Sequence, residues 1–130
     1  MAIKLGPTSE MLLRGVHPDL VKVVRRAAEI SKLDFKVLEG RRSVARQREL
    51  VKKGASQTMK SRHIHGFAVD LGVVVGGTIR WDWPLYYQLA DIVKQAAKDV
   101  GVVVEWGGDW KSFKDGPHWQ LPHRKYPDPK

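Results

Sequence analysis

The chain of 130 residues contains no cysteine. That excludes disulfides, thiolate metal sites and a cysteine nucleophile, so any metal must be held by His, Asp or Glu. No apolar run approaches the roughly 20 residues of a membrane-spanning helix. The opening "MAIKLGPTSEMLL" lacks the long apolar core and small-residue cleavage site of a signal peptide. No internal repeat, low-complexity tract or inter-domain linker is present, and the length fits one compact domain spanning 1–130. Acidic residues are also scarce: 14 Asp and Glu face 23 Lys and Arg, a formal charge of +9. Such an excess favours an anionic partner, whether nucleic acid, an acidic membrane surface or a cell-wall polymer.

Apolar residues make up 42% of the chain, enough for a real core. In "HPDLVKVVRRAAEISKLD", Leu20, Val23, Val24, Ala27 and Ile30 recur at three- and four-residue spacing, and Pro18 suits a helix's first turn. "FKVLEG" reads as a short strand. "SVARQRELVKKG" reads as a helix with Ser43 as N-cap and Gly54 as its stop. "GASQTMKSRH" is a loop, "GFAVDLGVVV" a strand, and "GG" a turn into the short strand "TIRW". Pro84 opens a helix that Gly101 closes, with Leu85, Leu89, Ile92, Ala96 and Val100 as its stripe. "VVVEW" and "PHWQL" read as strands around the loop "GGDWKSFKDG", and residues 121–130 as an irregular tail with three of the seven prolines. The order implies an α+β domain, with helices on one side of a small, mainly antiparallel sheet.

Five histidines carry the metal-binding chemistry, and two of them share "SRHIHGFAVD" with Asp70. A carboxylate inside the apolar run "FAVDLGVVV" is costly unless paired or bound to a cation. His63 and His65 are two apart, so an extended chain would place both on one face, leaving either as a ligand. The chain must turn at Gly66 to bring a histidine to Asp70. His118 follows "KDGP", where Asp115 is either ordinary turn chemistry or a carboxylate beside a metal-binding His, able to take a proton from an attacking water. Arg42, between a strand end and a helix start, can reach a carboxylate or an oxyanion. Arg41 reads as solvated.

Taken in order, "GRRSVARQ", "SRHIHGFAVD" (the form S-x-H-x-x-G-x-A-x-D) and "EWGGDWKSFKDGPHWQL" resemble the zinc peptidases of the D-alanyl-D-alanine carboxypeptidase family. The nearest match is its phage endolysin branch, which cleaves the L-alanyl–D-glutamate bond of peptidoglycan. The motifs span Gly40 to Leu121, about two-thirds of the chain. The resemblance implies an α+β fold with helices against an antiparallel sheet, and one Zn²⁺ ion held by His63, Asp70 and His118. It makes Asp115 the catalytic acidic residue and Arg42 a contact to substrate or to the developing oxyanion. Ser61 and Gln47 match supporting polar positions. His65 falls at a variable position and reads as a bystander, and Glu105 ranks below Asp115 as a rival base.

The expected partners are peptidoglycan and, through charge, anionic envelope polymers. No specific nucleic acid is expected, and the chain should be monomeric. Synthesis in the host cytoplasm followed by action at the wall is the expected itinerary. A D,D-carboxypeptidase or dipeptidase of the same family is the competing reading. A basic nucleic-acid-binding protein or metal nuclease ranks lower, because no nucleic-acid motif is present.

Overall fold

The structure is a computed structural model, described over residues 3–56, 61–112 and 114–128. Among the described residues nine helices and strands run in the order α1 (Pro7–Leu12), α2 (Pro18–Ile30), β1 (Phe35–Glu39), α3 (Val44–Lys52), β2 (Ala68–Val75), β3 (Thr78–Arg80), α4 (Trp83–Val100), β4 (Glu105–Trp106) and β5 (His118–Gln120), with a 3₁₀ turn at Arg62–His65 between α3 and β2. A second 3₁₀ turn, Gly107–Asp109, follows β4.

Helix starts follow their sequence signals. Pro18 opens α2, and the His17 ring Nδ1 accepts from the Asp19 N–H at 3.0 Å. Ser43 caps α3 by accepting from the Arg46 N–H at 3.0 Å. Pro84 sits in the first turn of α4, and Gly101 ends it with a left-handed φ of 71°. The α2 stripe is buried at Leu20, Val23, Val24 and Ala27. In α4, Leu89 and Ala96 are buried as expected, while Leu85, Ile92 and Val100 are half-buried. Tyr86, Ala90, Val93 and Ala97 complete the inward face.

The strands lie in the order β1-β2-β5-β4, with β3 paired to β2, and every pairing is antiparallel. Alternation along β2 sends Val69, Leu71 and Val73 into the core with Phe35, Val37 and Trp119. Asp70 and its cross-strand partner His118 therefore project from the opposite face.

Three sequence expectations are corrected. "VVVEW" narrows to Glu105–Trp106, because β5 offers partners only at Gln120 and Trp119. β5 itself is three residues, flanked by Pro117 and Pro122, which have no N–H to extend the ladder. Short helix α1 went unread; its six residues give too little periodicity to register. Of the expected loop 54–63, residues 57–60 lie outside the described residues, and Arg62–His65 form a 3₁₀ turn rather than extended chain. Residues 121–128 are irregular as expected yet firmly held. Buried Arg62 donates to the Leu121 and Tyr126 carbonyls at 2.8 and 2.7 Å and to Asp128 at 2.8 Å.

Candidate metal centre and active site

The site begins with strand register. Asp70 on β2 pairs directly with His118 on β5, which places their side chains next to each other on one sheet face. β1 would set Leu38 opposite Asp70, but a bulge between Val37 and Glu39 shifts the register and brings Glu39 there instead. Glu39, Asp70 and His118 thus form a row across three strands.

His63 reaches this row through the 3₁₀ turn. Ser61 caps that turn, its hydroxyl accepting from the His63 N–H at 3.2 Å. Gly66 ends it with φ 75°, and a Cβ there would collide with the Gly15 carbonyl oxygen, so the turn admits only glycine. With three residues per turn, positions two apart point away from each other. This decides between the two histidines: His63 is buried against Asp70, while His65 is half-exposed beside Asp128 at 3.9 Å.

Hydrogen bonds assign the free nitrogen of each imidazole. His63 donates from Nδ1 to the Gly40 carbonyl at 2.9 Å, leaving a bare Nε2. Gln120 donates its amide N–H to Glu105 at 3.2 Å, so its Oε1 faces His118 and accepts from Nε2–H at 2.8 Å. His118 Nδ1 is left bare. Both bare nitrogens lie 3.3 Å from the same atom, Asp70 Oδ1. His63 Nε2 and Asp70 Oδ1 are buried without a hydrogen-bond partner among the described residues. Lone pairs facing each other at that distance repel unless a cation lies among them. The three donor atoms fall within 4.8 Å of one another, and the residues fit a divalent metal.

Burial alone would raise the Asp70 pKa, but the His118 and His63 rings beside it outweigh burial and hold the carboxyl well below the usual range. Burial alone would lower the His118 pKa, but Asp70 overcomes it, and the net shift is upward.

The centre opens into a cleft of about 860 Å³ lined by Glu39, Arg42, Ser61, Trp110, Lys114 and Asp115 as well as the three donors. Asp115 is brought in by Gly107: its N–H donates to the Gly107 carbonyl at 3.1 Å, and a Cβ on Gly107 would strike the Asp115 carbonyl oxygen. Burial raises the Asp115 pKa, and the charge on Asp70 adds to that, against the opposing pull of His118, His63 and Arg42. Arg42 is buried and clamped. Glu39 accepts from its Nε and Nη2 at 2.6 and 2.7 Å, and Gln47 and Ser61 accept from Nη1 at 2.6 and 3.4 Å. Its remaining Nη2 N–H has no hydrogen-bond partner among the described residues, and Asp70 Oδ2 is 3.9 Å away.

Glu105 is not among the residues that line the cleft, and its carboxylate accepts from the Gln120 amide. Glu39 and Gln120 escaped the sequence reading. Gln120 was within reach of it, being two residues after His118 on a strand and so on the same face. Glu39 was not, because a bulge is invisible to period-two counting.

Two imidazoles and a carboxylate around an open position, with a second carboxylate of raised proton affinity beside them, are the equipment of a metallohydrolase. Residues 1–121 match the family described as phage L-alanyl-D-glutamate peptidase. The L-alanyl-D-glutamate peptidase of Escherichia phage T5 is 36% identical over 119 residues, covering 88% of this chain and 87% of that protein. The Bacillus subtilis (strain 168) peptidoglycan L-alanyl-D-glutamate endopeptidase CwlK is 31% identical over 132 residues, covering 82% and 75%. The crystal structure of the Serratia marcescens L-Ala D-Glu endopeptidase ChiX superposes with a TM-score of 0.90 at 52% identity, covering 96% of this chain and 95% of that one. The chain belongs to the phage L-alanyl-D-glutamate peptidase family.

Proposed function

We propose that the chain hydrolyses the L-alanyl–D-glutamate bond of peptidoglycan stem peptides as an endolysin, using one zinc ion held by His63 Nε2, Asp70 and His118 Nδ1. The observation that carries this reading is the convergence of two bare imidazole nitrogens on one buried carboxylate oxygen, each at 3.3 Å. A nitrogen, nitrogen and oxygen donor set suits zinc and leaves a position open. Bound there, zinc supplies a Lewis acid that polarises a carbonyl and lowers the pKa of water toward about 7. Asp115 is the general base: it takes a proton from the attacking water and returns it to the leaving amine. Arg42, held rigid by Glu39, Gln47 and Ser61, offers its remaining N–H to the substrate carbonyl as negative charge develops.

The net charge of +9 draws the enzyme to the anionic carboxylates and phosphates of the bacterial envelope. One chain carries every residue of the site, so a monomer suffices. The enzyme is made in the host cytoplasm and reaches the wall on release; no helix among the described residues is long and apolar enough to cross a membrane.

Masses of the products from defined peptidoglycan fragments, with and without chelator, test this reading. The expected result is new L-alanine C-termini and D-glutamate N-termini, abolished by chelator and restored by zinc. Release of terminal D-alanine instead would assign a D,D-carboxypeptidase, and chelator-insensitive cleavage would end the metal reading.

A further inference from the structure

The wall of the cleft that carries Asp115 is the segment between β4 and β5, and one carbonyl pins it. The Gly107 carbonyl accepts from the N–H groups of both Trp110 and Asp115, at 3.3 and 3.1 Å. The Asp115 carbonyl accepts from the His118 N–H at 3.2 Å, which joins the segment to the metal-binding strand. The half-buried Trp110 ring lies 5.0 Å from the His118 ring. Trp110, Ser112, Lys114 and Asp115 line the cleft together with the three donors.

Among the described residues, three Arg and Lys side chains line that cleft: Arg42, Arg62 and Lys114. Two of them are committed. Arg42 is held by Glu39, Gln47 and Ser61. Arg62 is held by the Leu121 and Tyr126 carbonyls and by Asp128. Lys114 is exposed, and no hydrogen bond or ion pair engages its ammonium among the described residues. A solvated lysine is ordinary on a protein surface. This one adjoins Asp115 in the cleft, and its ammonium rides on a flexible four-carbon stem.

We propose that Lys114 binds the free carboxylate of the D-glutamate residue that leaves on cleavage, and so selects the acidic form of the stem peptide over its carboxamide. The inference rests on the function proposed above. Asp115 returns a proton to the leaving amine, so the D-glutamate residue begins beside Asp115. A glutamate within a peptide spends one carboxyl on the next amide and keeps the other as a free carboxylate. Whichever carboxyl is free, only a few covalent bonds separate it from the leaving nitrogen. The anion therefore enters the cleft close to Asp115. Of the carboxylates there, Glu39 is paired with Arg42 and Asp70 faces two histidines. Asp115 is the charge that an incoming carboxylate meets, and like charges repel at this range. The Lys114 ammonium, one residue away, supplies the opposite sign and a charge-assisted hydrogen bond.

The test compares the zinc-loaded wild type with Lys114→Met, which removes the charge from an exposed position and keeps most of the stem; a circular dichroism melt verifies the fold. The substrates are two muropeptides, alike except that the free D-glutamate carboxylate of one is a carboxamide in the other. The wild type should show a KM about tenfold lower on the carboxylate form, with kcat alike. In Lys114→Met the two forms should share one KM. Added salt should shrink the wild-type preference. Equal KM on both forms in the wild type would overturn the proposal, and so would a preference that survives in the variant. A second measurement needs no turnover: calorimetric titration of the metal-free proteins with the product peptide that begins at D-glutamate, in both forms. The wild type should bind the carboxylate form about tenfold more tightly, and the variant should not discriminate. If that binding difference is present but neither muropeptide is cut between alanine and glutamate, the proposed activity falls and the role of Lys114 stands. If the wild type cuts there without preferring the carboxylate, the activity stands and the role of Lys114 falls.

Discussion

The two faces of strand β2 are made from alternate residues of one short segment and have opposite characters. Val69, Leu71 and Val73 are fully buried against helices, and each is satisfied by contact alone. Asp70, between two of them, faces the cleft with a buried oxygen that has no hydrogen-bond partner among the described residues. One face contributes stability, and the other holds chemistry that is costly to the metal-free fold. A single strand can do both because its side chains alternate, so neighbours one position apart point to opposite faces.

The sharpest contrast is between neighbours. Asp70→Ala should lose tight metal binding, and with it turnover by about a thousandfold or more, measured as metal content after dialysis and as peptide cleavage. Leu71→Ala, one residue away, should lower stability by about 2–5 kcal/mol in denaturant titration, with the protein that remains folded still binding metal. If Leu71→Ala lost metal while stably folded, or Asp70→Ala were active, the division between the faces would not hold.

Asp115→Asn should lower kcat by about 10²–10⁴-fold while metal content stays at the wild-type level. The same substitution should raise the Tm of the metal-free protein at neutral pH. The sign follows from linkage. The Asp115 pKa is raised in the fold by burial and by Asp70, so the folded state holds its proton longer than the unfolded one. Asp115 therefore costs stability as pH rises from the ordinary carboxylate value through the raised one, and the penalty is complete above it. The gain from Asn should vanish at a pH below the ordinary value. A Tm difference independent of pH would remove the electrostatic explanation.

Smaller effects are expected from the residues behind the donors. Gln120→Ala frees the His118 ring and should weaken metal binding by about 10–100-fold, read by competition with a chromophoric chelator. Glu39→Gln should lower kcat by about tenfold through a loosened Arg42, with metal affinity unchanged. The smallest effect belongs to His65→Ala, which should match wild type in metal content and rate. Loss of metal there would reassign the histidine on the 3₁₀ turn.

The helices were readable because their signals are local. Pro18 and Ser43 act within one turn, and the α2 and α4 stripes repeat within the helix itself. Strand lengths were less readable. β4 and β5 are as short as their partners and flanking prolines permit, and the apolar run Val102–Val104 gave no sign that its ladder partner was missing. The site divided along the same line. His63, Asp70 and His118 came from motif spacing, and the structure brings their donor atoms together. Arg42 was picked out as able to reach a carboxylate or an oxyanion; that its carboxylate is Glu39 was not legible, because the β1 bulge brings Glu39 into the site's row.

Composition by itself determined that a metal here must be held by imidazole and carboxylate, since no thiol exists to compete. It also determined that Asp70 needed a partner, since an apolar strand offers a carboxylate none. Motif spacing favoured His63 over His65; only the tertiary structure brings that ring to Asp70 and sets which nitrogen faces the carboxylate. The choice of His63 depends on a 3₁₀ turn that sends His65 the other way. Its bare Nε2 depends on the carbonyl of Gly40, 23 residues earlier, and the bare Nδ1 of His118 depends on Gln120 and, through it, Glu105, 15 residues before. A hydrogen bond fixes a tautomer only when its partner is brought into place, and folding across the sheet does that.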